Sequence, residues 1–307
     1  MAVHDSAAPL TLRAPRRRYS EDIVRIVLLM AAFVSVVTTF AIIISLLRPA
    51  IEFFTEISPW EFFAGTTWTP LFLEGEFGVV PLLVGTLVIT FWACLVAIPC
   101  GLGTAIFLSE YANPRVRAVL KPVLEVLAGI PTIVYGYFAL TFFTPFLRDI
   151  GVQVEIFNVL AAGLVMGVML IPLVASLSED AMFAVPNELR DGGYALGATR
   201  RQVATRIVVP AATSGIVASF VLAISRGIGE TMIVLIAAGQ LAQISADPRV
   251  SLETMTAFIG ATAQGDVPTG SIEYKTIFAV GLALFVITLA MNIVSIRLVR
   301  RFREVYE

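Results

Sequence analysis

The sequence predicts an all-α membrane protein with six transmembrane helices. Of its 307 residues, 58% are hydrophobic and only 14% are charged, and the mean hydropathy is +0.88. A soluble domain carries about 25% charged residues, so this composition indicates a chain that lies in lipid. A helix needs about 20 mostly apolar residues to cross a bilayer, and six segments are long enough. They lie near 23–47, 79–108, 122–146, 156–178, 211–238 and 274–297.

The first span follows a polar tail at residues 1–22, which contains the basic run Arg16-Arg17-Arg18. The apolar segment after it is too long for the hydrophobic region of a cleaved signal peptide. We therefore expect a retained first helix at 23–47.

The basic residues predict the orientation, because loops and tails that stay in the cytoplasm keep Lys and Arg. One side of the predicted bundle carries most of them: Arg13, Arg16, Arg17, Arg18, Arg25, Arg115, Arg117, Lys121, Arg190, Arg200, Arg201, Arg206, Arg297, Arg300, Arg301 and Arg303. The other side carries Arg48, Arg148, Arg249 and Lys275. Both termini are therefore expected in the cytoplasm, with a C-terminal tail at 300–307.

Two large external loops are predicted. The first, at 48–78, contains Trp60, Phe62, Phe63 and Trp68 among Pro and Gly residues. Aromatic residues favour the membrane interface, so this loop either lies on the outer leaflet or forms a docking surface for a partner. The second, at about 239–273, is rich in Ala, Gly and Thr and could cover the outer mouth of a pathway.

Spans three and four contain prolines and end in carboxylates. Pro131 and Pro172 are expected to kink their helices, either as hinges or as fixed structure. Glu125, Glu179 and Asp180 lie near the cytoplasmic ends, where we expect them to be hydrated or paired with a loop arginine.

The cytoplasmic segment 185–210 predicts a short helix-turn-helix. Pro186 suits a helix start, Gly197 a left-handed residue that ends the first helix, and Thr199 a cap on the second. Leu189, Tyr194 and Leu196 form an apolar stripe on the first helix. Either the chain's own bundle or another protein must cover that stripe.

The fifth span contains a charged pair, Arg226 and Glu230, within apolar sequence. An arginine at the centre of a bilayer costs about 2.5–3.5 kcal/mol even on a mild scale, so it must face protein, a partner charge or water. Glu230 is four residues on and is expected on the same helical face. One interpretation is an internal ion pair. The other is a polar passage where Arg226 binds an oxyanion, Glu230 balances its charge and Thr231 adds a hydroxyl donor.

The segment 185–210 resembles the EAA loop of type I ABC importer permeases, which inserts a coupling helix into a groove of an ATP-hydrolysing subunit. The match is Asp191-Gly192-Gly193, then Gly197, then Ile207-Val208-Val209-Pro210. Aspartate replaces the family's glutamate, and two glycines replace its two alanines. Each alanine-to-glycine change lowers helix propensity by about 1 kcal/mol. The resemblance implies the type I permease fold and contact with an ATPase through Asp191, Gly192, Gly193, Tyr194, Ala195, Leu196 and Gly197.

The string Arg226-x-x-Gly229-Glu230-Thr231 resembles the signature of permeases of the phosphate-specific (Pst) system. Further similarities cover residues 79–305, and the ending at 300–306 is most similar to the C-type subunit. The resemblance implies a permease core at 79–299 in the bacterial inner membrane. It also implies a second, A-type permease, two ATPase subunits and an external phosphate-binding protein as partners.

No cofactor is expected on this chain, because its sequence lacks the Gly-x-x-x-x-Gly-Lys-Ser/Thr phosphate loop. The partner ATPase would use ATP and magnesium. Two alternatives stay open: a permease for another oxyanion such as molybdate or sulfate, and a secondary transporter that needs no ATPase. An intramembrane enzyme is disfavoured, since the only histidine is His4 and no nucleophile–base pair is evident.

Overall fold

The computed structural model describes residues 19–72 and 75–302, and side chains within 21–72 and 75–297. The basic residues predicted to flank the spans at Arg13, Arg16–Arg18 and Arg303 lie outside the described residues. The chain forms two compact units, one that ends at Arg48 and one that begins at Pro49.

Fourteen α-helices and no β-strand are found among the described residues, which confirms the predicted all-α class. The helices are α1 (Tyr19–Glu56), α2 (Pro59–Ala64), α3 (Val80–Ile106), α4 (Pro114–Gly129), α5 (Thr132–Phe138), α6 (Thr144–Asp149), α7 (Val159–Phe183), α8 (Asn187–Ala195), α9 (Arg200–Val203), α10 (Val209–Ala211), α11 (Thr213–Ile228), α12 (Met232–Ala237), α13 (Met255–Gln264) and α14 (Ile272–Phe302). Short π-helical turns follow α3, α5 and α9.

Four helical stretches are long and apolar enough to cross a membrane, namely Glu21–Glu56, Val80–Tyr111, Val159–Phe183 and Ile272–Arg297. Two bent pairs of helices bring the number to six if each pair crosses once. The first span continues to Glu56, so the external loop predicted from residue 48 begins with helix.

The third predicted span is sharply bent. Pro114–Gly129 and Thr132–Asp149 meet at 85°, where a kinked helix was expected over 122–146. Ile130 is extended (φ −66°, ψ 127°), because the ring of Pro131 disfavours helical backbone in the residue before it. Pro172, by contrast, lies inside an unbroken α7.

Helices α3 and α7 pack closely and form the centre of the larger unit. A Cβ added at Gly167 of α7 would lie 2.7 Å from the Ala93 carbonyl oxygen of α3. One at Gly101 of α3 would lie 2.6 Å from Val174 Cβ. Small residues are used in this way where membrane helices pack backbone to backbone.

The aromatic residues of the first external loop form a buried cluster with α13 and α14. Phe53, Phe62, Trp68 and Phe77 are each at most 7% exposed, and Trp68 meets Phe258 edge to face at 4.9 Å. These side chains pack within the chain, and the position of the loop on the outer leaflet stays a prediction. Trp60, by contrast, is 81% exposed.

Candidate functional site

The fifth predicted span is broken where its charged residues lie. Helix α11 ends at Ile228, and α12 begins at Met232. The expectation that Glu230 shares a helical face with Arg226 is therefore wrong. Gly229 directly follows α11, and glycine has a low helix propensity.

Glu230 lies two residues before α12 and caps its first turn. Its side-chain oxygen Oε1 accepts hydrogen bonds from the amides of Met232 at 3.1 Å and Ile233 at 3.4 Å. The first amides of a helix have no partner within it, so the carboxylate satisfies two of them. Its own carbonyl accepts a 2.6 Å hydrogen bond from Thr256 Oγ1 of α13. Glu230 is thus buried and bound to backbone.

Arg226 lies in the last turn of α11, and its exposed side chain lines a cavity that also contains other charged side chains. Within the described part of the chain it has no hydrogen-bond or ion-pair partner, so the alternative of an internal pair with Glu230 is not observed. The predicted hydroxyl donor, Thr231, is half-buried and contacts the Gly229 carbonyl at 3.4 Å. The three residues are neighbours in the chain, but only Arg226 lines the cavity.

The cavity measures about 260 Å³ and lies between α4, α7 and α11. Its charged lining consists of Lys121 and Glu125 from α4, Glu179 from α7 and Arg226. Met169, Pro172, Leu173 and Ser176 of α7 form the wall beside them. Arg226 is an exposed residue, and its side chain lines this cavity together with three other charged side chains.

A cluster of charges holds α4 against α7. Glu179 is buried, with Arg117 Nη2 at 2.5 Å and Lys121 Nζ at 3.1 Å, while Asp180 lies 3.7 Å from Lys121. The contacts of Glu179 are ion pairs by distance, and neither of its carboxylate oxygens accepts a hydrogen bond with good geometry from the described residues. Glu179 is paired with an arginine as expected, but Arg117 lies in α4 and not in a loop.

Lys121 was expected only as an orientation signal, and its place in the cavity was missed. The signal was present in the sequence, because Arg117, Lys121 and Glu125 follow at intervals of four, which brings them to one face of a helix. Asn113 caps that helix by accepting from Val116 N at 2.8 Å.

The segment 185–210 folds as predicted. Gly197 has φ +79° after α8, and Thr199 forms a capping box with Gln202 at the start of α9. Pro186 precedes the first helical residue as its cap.

The two helices of that segment differ in what covers them. Val203 and Val208 are buried within the chain. Leu189, Tyr194 and Leu196 are 37%, 44% and 90% exposed. The chain's own bundle therefore leaves the apolar stripe of α8 uncovered.

The predicted coupling residues are mostly exposed: Asp191, Gly192, Tyr194, Ala195, Leu196 and Gly197. Gly193 is buried, and a Cβ there would lie 2.6 Å from Ile207 Cδ1. Glycine at this position lets α8 approach the next helix closely.

The chain is similar to transport permeases in sequence. Residues 97–304 match the family described as binding-protein-dependent transport system inner membrane component. A probable ABC transporter permease protein YqgH of Bacillus subtilis is 34% identical over 266 residues, 86% of each chain. The phosphate transport system permease protein PstC of Xylella fastidiosa (strain Temecula1) is 32% identical over 254 residues, 76% of each chain. That of Haemophilus influenzae is 30% identical over 86% of this chain and 91% of the relative.

Solved structures share the fold. A bacterial alginate ABC transporter, in complex with an alginate-bound periplasmic protein, matches with a TM-score of 0.63 at 17% identity. The match covers 92% of this chain and 96% of that one. The inward-facing MetNI methionine ABC transporter matches with a TM-score of 0.55 at 20% identity, over 74% and 95%. The predicted type I ABC importer permease fold is confirmed.

Proposed function

Because the chain belongs to the family of binding-protein-dependent transport system inner membrane components, we propose that it is a permease subunit of an ATP-driven importer of inorganic phosphate. The observation that carries the proposal is Arg226, a cation in an apolar segment that lines a cavity with charged side chains and has no partner among the described residues. The relatives named as phosphate permeases support the choice of substrate.

The depth of Arg226 suits a site within the pathway. Thirteen residues separate it from Thr213, where α11 begins, which is about 20 Å at 1.5 Å per residue. An anion at such a depth needs a counter-charge, and a guanidinium offers phosphate a planar fork of donors. The break at residues 229–231 leaves Arg226 at the end of a helix, where the side chain can reach the cavity.

Glu230 has a different role in this proposal from the one its spacing suggested. It fixes the start of α12 and so shapes the segment that follows Arg226. We assign it as a positioning residue, with Thr231 as a neighbour whose hydroxyl can turn towards the pathway.

The ATPase site lies on other subunits in our proposal. Tyr194 in α8 and Leu196 directly after α8 are the exposed apolar residues that a groove on an ATPase would cover, together with Asp191. The assembly would contain this chain, an A-type permease, two ATPase subunits that use ATP and magnesium, and an external phosphate-binding protein. Both termini would be cytoplasmic, in the bacterial inner membrane.

Uptake of radiolabelled phosphate by cells that depend on this system tests the substrate. We expect Arg226→Gln to lower uptake about tenfold or more, because a charge-assisted hydrogen bond contributes about 1.5–3 kcal/mol. Arg226→Lys should retain part of it. Arg115→Gln, an exposed arginine of α4, is the matched control.

Unchanged phosphate uptake in Arg226→Gln would show that this residue does not serve the transport pathway. Uptake of sulfate or molybdate in place of phosphate by the wild type would identify the other oxyanion importer. Uptake that persists in cells lacking every candidate ATPase would identify a secondary transporter.

A further inference from the structure

Arg190 differs from its neighbours on the coupling helix α8. Its side chain is only 14% exposed, whereas Leu189 and Asp191 on either side are exposed. The guanidinium points away from the surface that an ATPase would cover and towards the membrane bundle.

The guanidinium contacts the cytoplasmic ends of the two central helices. At the end of α7, it donates to the carbonyl of Met182 at 2.8 Å and to that of Val185 at 2.5 Å. At the end of α3, it lies 3.2 Å from an oxygen of Glu110. The last carbonyls of a helix carry partial negative charge, so the cation suits the end of α7, and the Glu110 carboxylate attracts it to the turn after α3.

Glu110 depends on this contact. It is 6% exposed, in the π-helical turn Phe107–Tyr111 that ends α3, and Ser109 Oγ also donates to it at 2.9 Å. A buried carboxylate needs a partner cation, and Arg190 is the one within 4.0 Å in the described part of the chain. Arg190 and Glu110 therefore hold the coupling helix to α3 as one body.

Of these two central helices, α7 lines the cavity. Helix α7 provides Met169, Pro172, Leu173, Ser176 and Glu179 of its lining, and α3 packs along α7 over most of its length. A displacement of α8 that carries the end of α7 with it therefore moves the wall opposite Arg226.

We propose that Arg190 is the positioning residue through which the coupling helix moves α7 and α3. The inference rests on the proposed function, because it assigns the internal path from the ATPase contact to the cavity. The guanidinium acts as a rigid junction: a planar group with five donors fixes the ends of two helices relative to a third.

The test uses the assembled importer in proteoliposomes, with ATP hydrolysis and phosphate uptake measured on the same sample. In Arg190→Gln the exposed face of α8 is unchanged, so the ATPase is expected to co-purify and hydrolyse ATP. Phosphate taken up per ATP should fall about tenfold, within the range of coupling energies between sites. Arg190→Lys should recover part of it.

Arg201→Gln is the matched control, since Arg201 is exposed on the next helix and its guanidinium has no partner among the described residues. Glu110→Gln leaves Arg190 in place and should uncouple in the same direction. Unchanged uptake per ATP in Arg190→Gln and Glu110→Gln would overturn the inference. Loss of ATPase co-purification in both variants would overturn it too, because Arg190 would then only hold the loop fold.

A failure of this inference can be distinguished from a failure of the proposed function. If the wild-type complex hydrolyses ATP but does not take up phosphate, the substrate assignment fails. The stimulation of ATP hydrolysis by the external binding protein then still reports on Arg190, and the inference predicts that stimulation is lost in Arg190→Gln and kept in Arg201→Gln.

Discussion

Glu230 stabilises a helix start instead of neutralising Arg226. Its carboxylate accepts from two amides of α12, and its carbonyl accepts from Thr256. The distinction matters because an acceptor for amides needs an oxygen, whereas a counter-ion needs a charge.

Glu230→Gln and Glu230→Ala separate these roles. Glutamine keeps the oxygen, so we expect a small loss of thermal stability in detergent. Alanine removes it and should cost about 0.5–2 kcal/mol, as losses of helix caps do. Equal losses in the two variants would indicate that the charge, and not the acceptor, is what matters.

Glu253 is a buried carboxyl just before α13, in the predicted external segment. Burial raises its pKa from 4.5 to about 8. The folded protein therefore binds a proton that the unfolded chain releases, so stability is greatest below about pH 4.5 and falls as the pH rises towards 8. Glu253→Gln should remove this dependence.

Thermal unfolding at pH 5.5 and pH 8.5 checks that expectation. The gain in stability from Glu253→Gln should be larger at pH 8.5, on the order of 1–3 kcal/mol. Asp247→Asn is the control, because that half-buried residue pairs with Arg249, which lowers the pKa of its carboxylate to about 2, outside this pH range. A gain that does not depend on pH would contradict the account.

At the scale of elements, α8 contains two adjacent glycines with opposite surroundings. A Cβ at Gly192 meets nothing within 4 Å, whereas one at Gly193 lies 2.6 Å from Ile207 Cδ1 and 3.2 Å from Val203 Cγ2. Gly192→Ala should stabilise α8 by up to about 1 kcal/mol, and Gly193→Ala should not. Hydrogen exchange of residues 187–195 measures both, and equal protection in the two variants would contradict the packing described.

Helix α4 has no buried residue and is held to α7 by the ion pairs of Glu179. Glu179→Gln should increase hydrogen exchange in residues 114–129. The loss of stability should be smaller than the roughly 3–5 kcal/mol that follows when a fully buried ion pair is broken, because the Arg117 and Lys121 side chains are 30% and 35% exposed. Asp180→Asn, at the rim of the cluster, should change little, and an equal effect of both variants would contradict this assignment.

The sequence predicts an element well where its signals are local. Gly197 and Thr199 define the turn of the coupling segment within a few residues, and both behave as expected. The break after Ile228 depends on Thr256, 26 residues from Glu230. The contact between Arg190 and Glu110 joins residues 80 positions apart. The periodicity of a sequence does not report contacts between distant residues. Hydrophobicity alone therefore predicted one continuous fifth span.

At the scale of the whole molecule, the central pair α3 and α7 connects the features described above. One end of α7 contacts Arg190, and its middle lines the cavity that Arg226 faces. In our proposal, this arrangement lets a contact at α8 affect the cavity that Arg226 lines.

The orientation of the chain in the membrane is a prediction about the whole molecule. After Cys94 and Cys100 are replaced by serine, a cysteine at Leu196 should react with an impermeant thiol reagent only in permeabilised cells. A cysteine at Gln264 should react in intact cells. The reverse labelling pattern would show that the topology is inverted and that α8 lies on the external side, where no cytoplasmic ATPase could reach it.

The central claim is that Arg226 serves an ATP-driven phosphate pathway. The most direct measurement is uptake of radiolabelled phosphate into proteoliposomes that contain the assembled importer, its binding protein and ATP on the cytoplasmic side. The account predicts ATP-dependent accumulation by the wild type and by Arg115→Gln, with a fall of about tenfold or more in Arg226→Gln at an unchanged amount of assembled complex. Equal accumulation in Arg226→Gln and the wild type would contradict it.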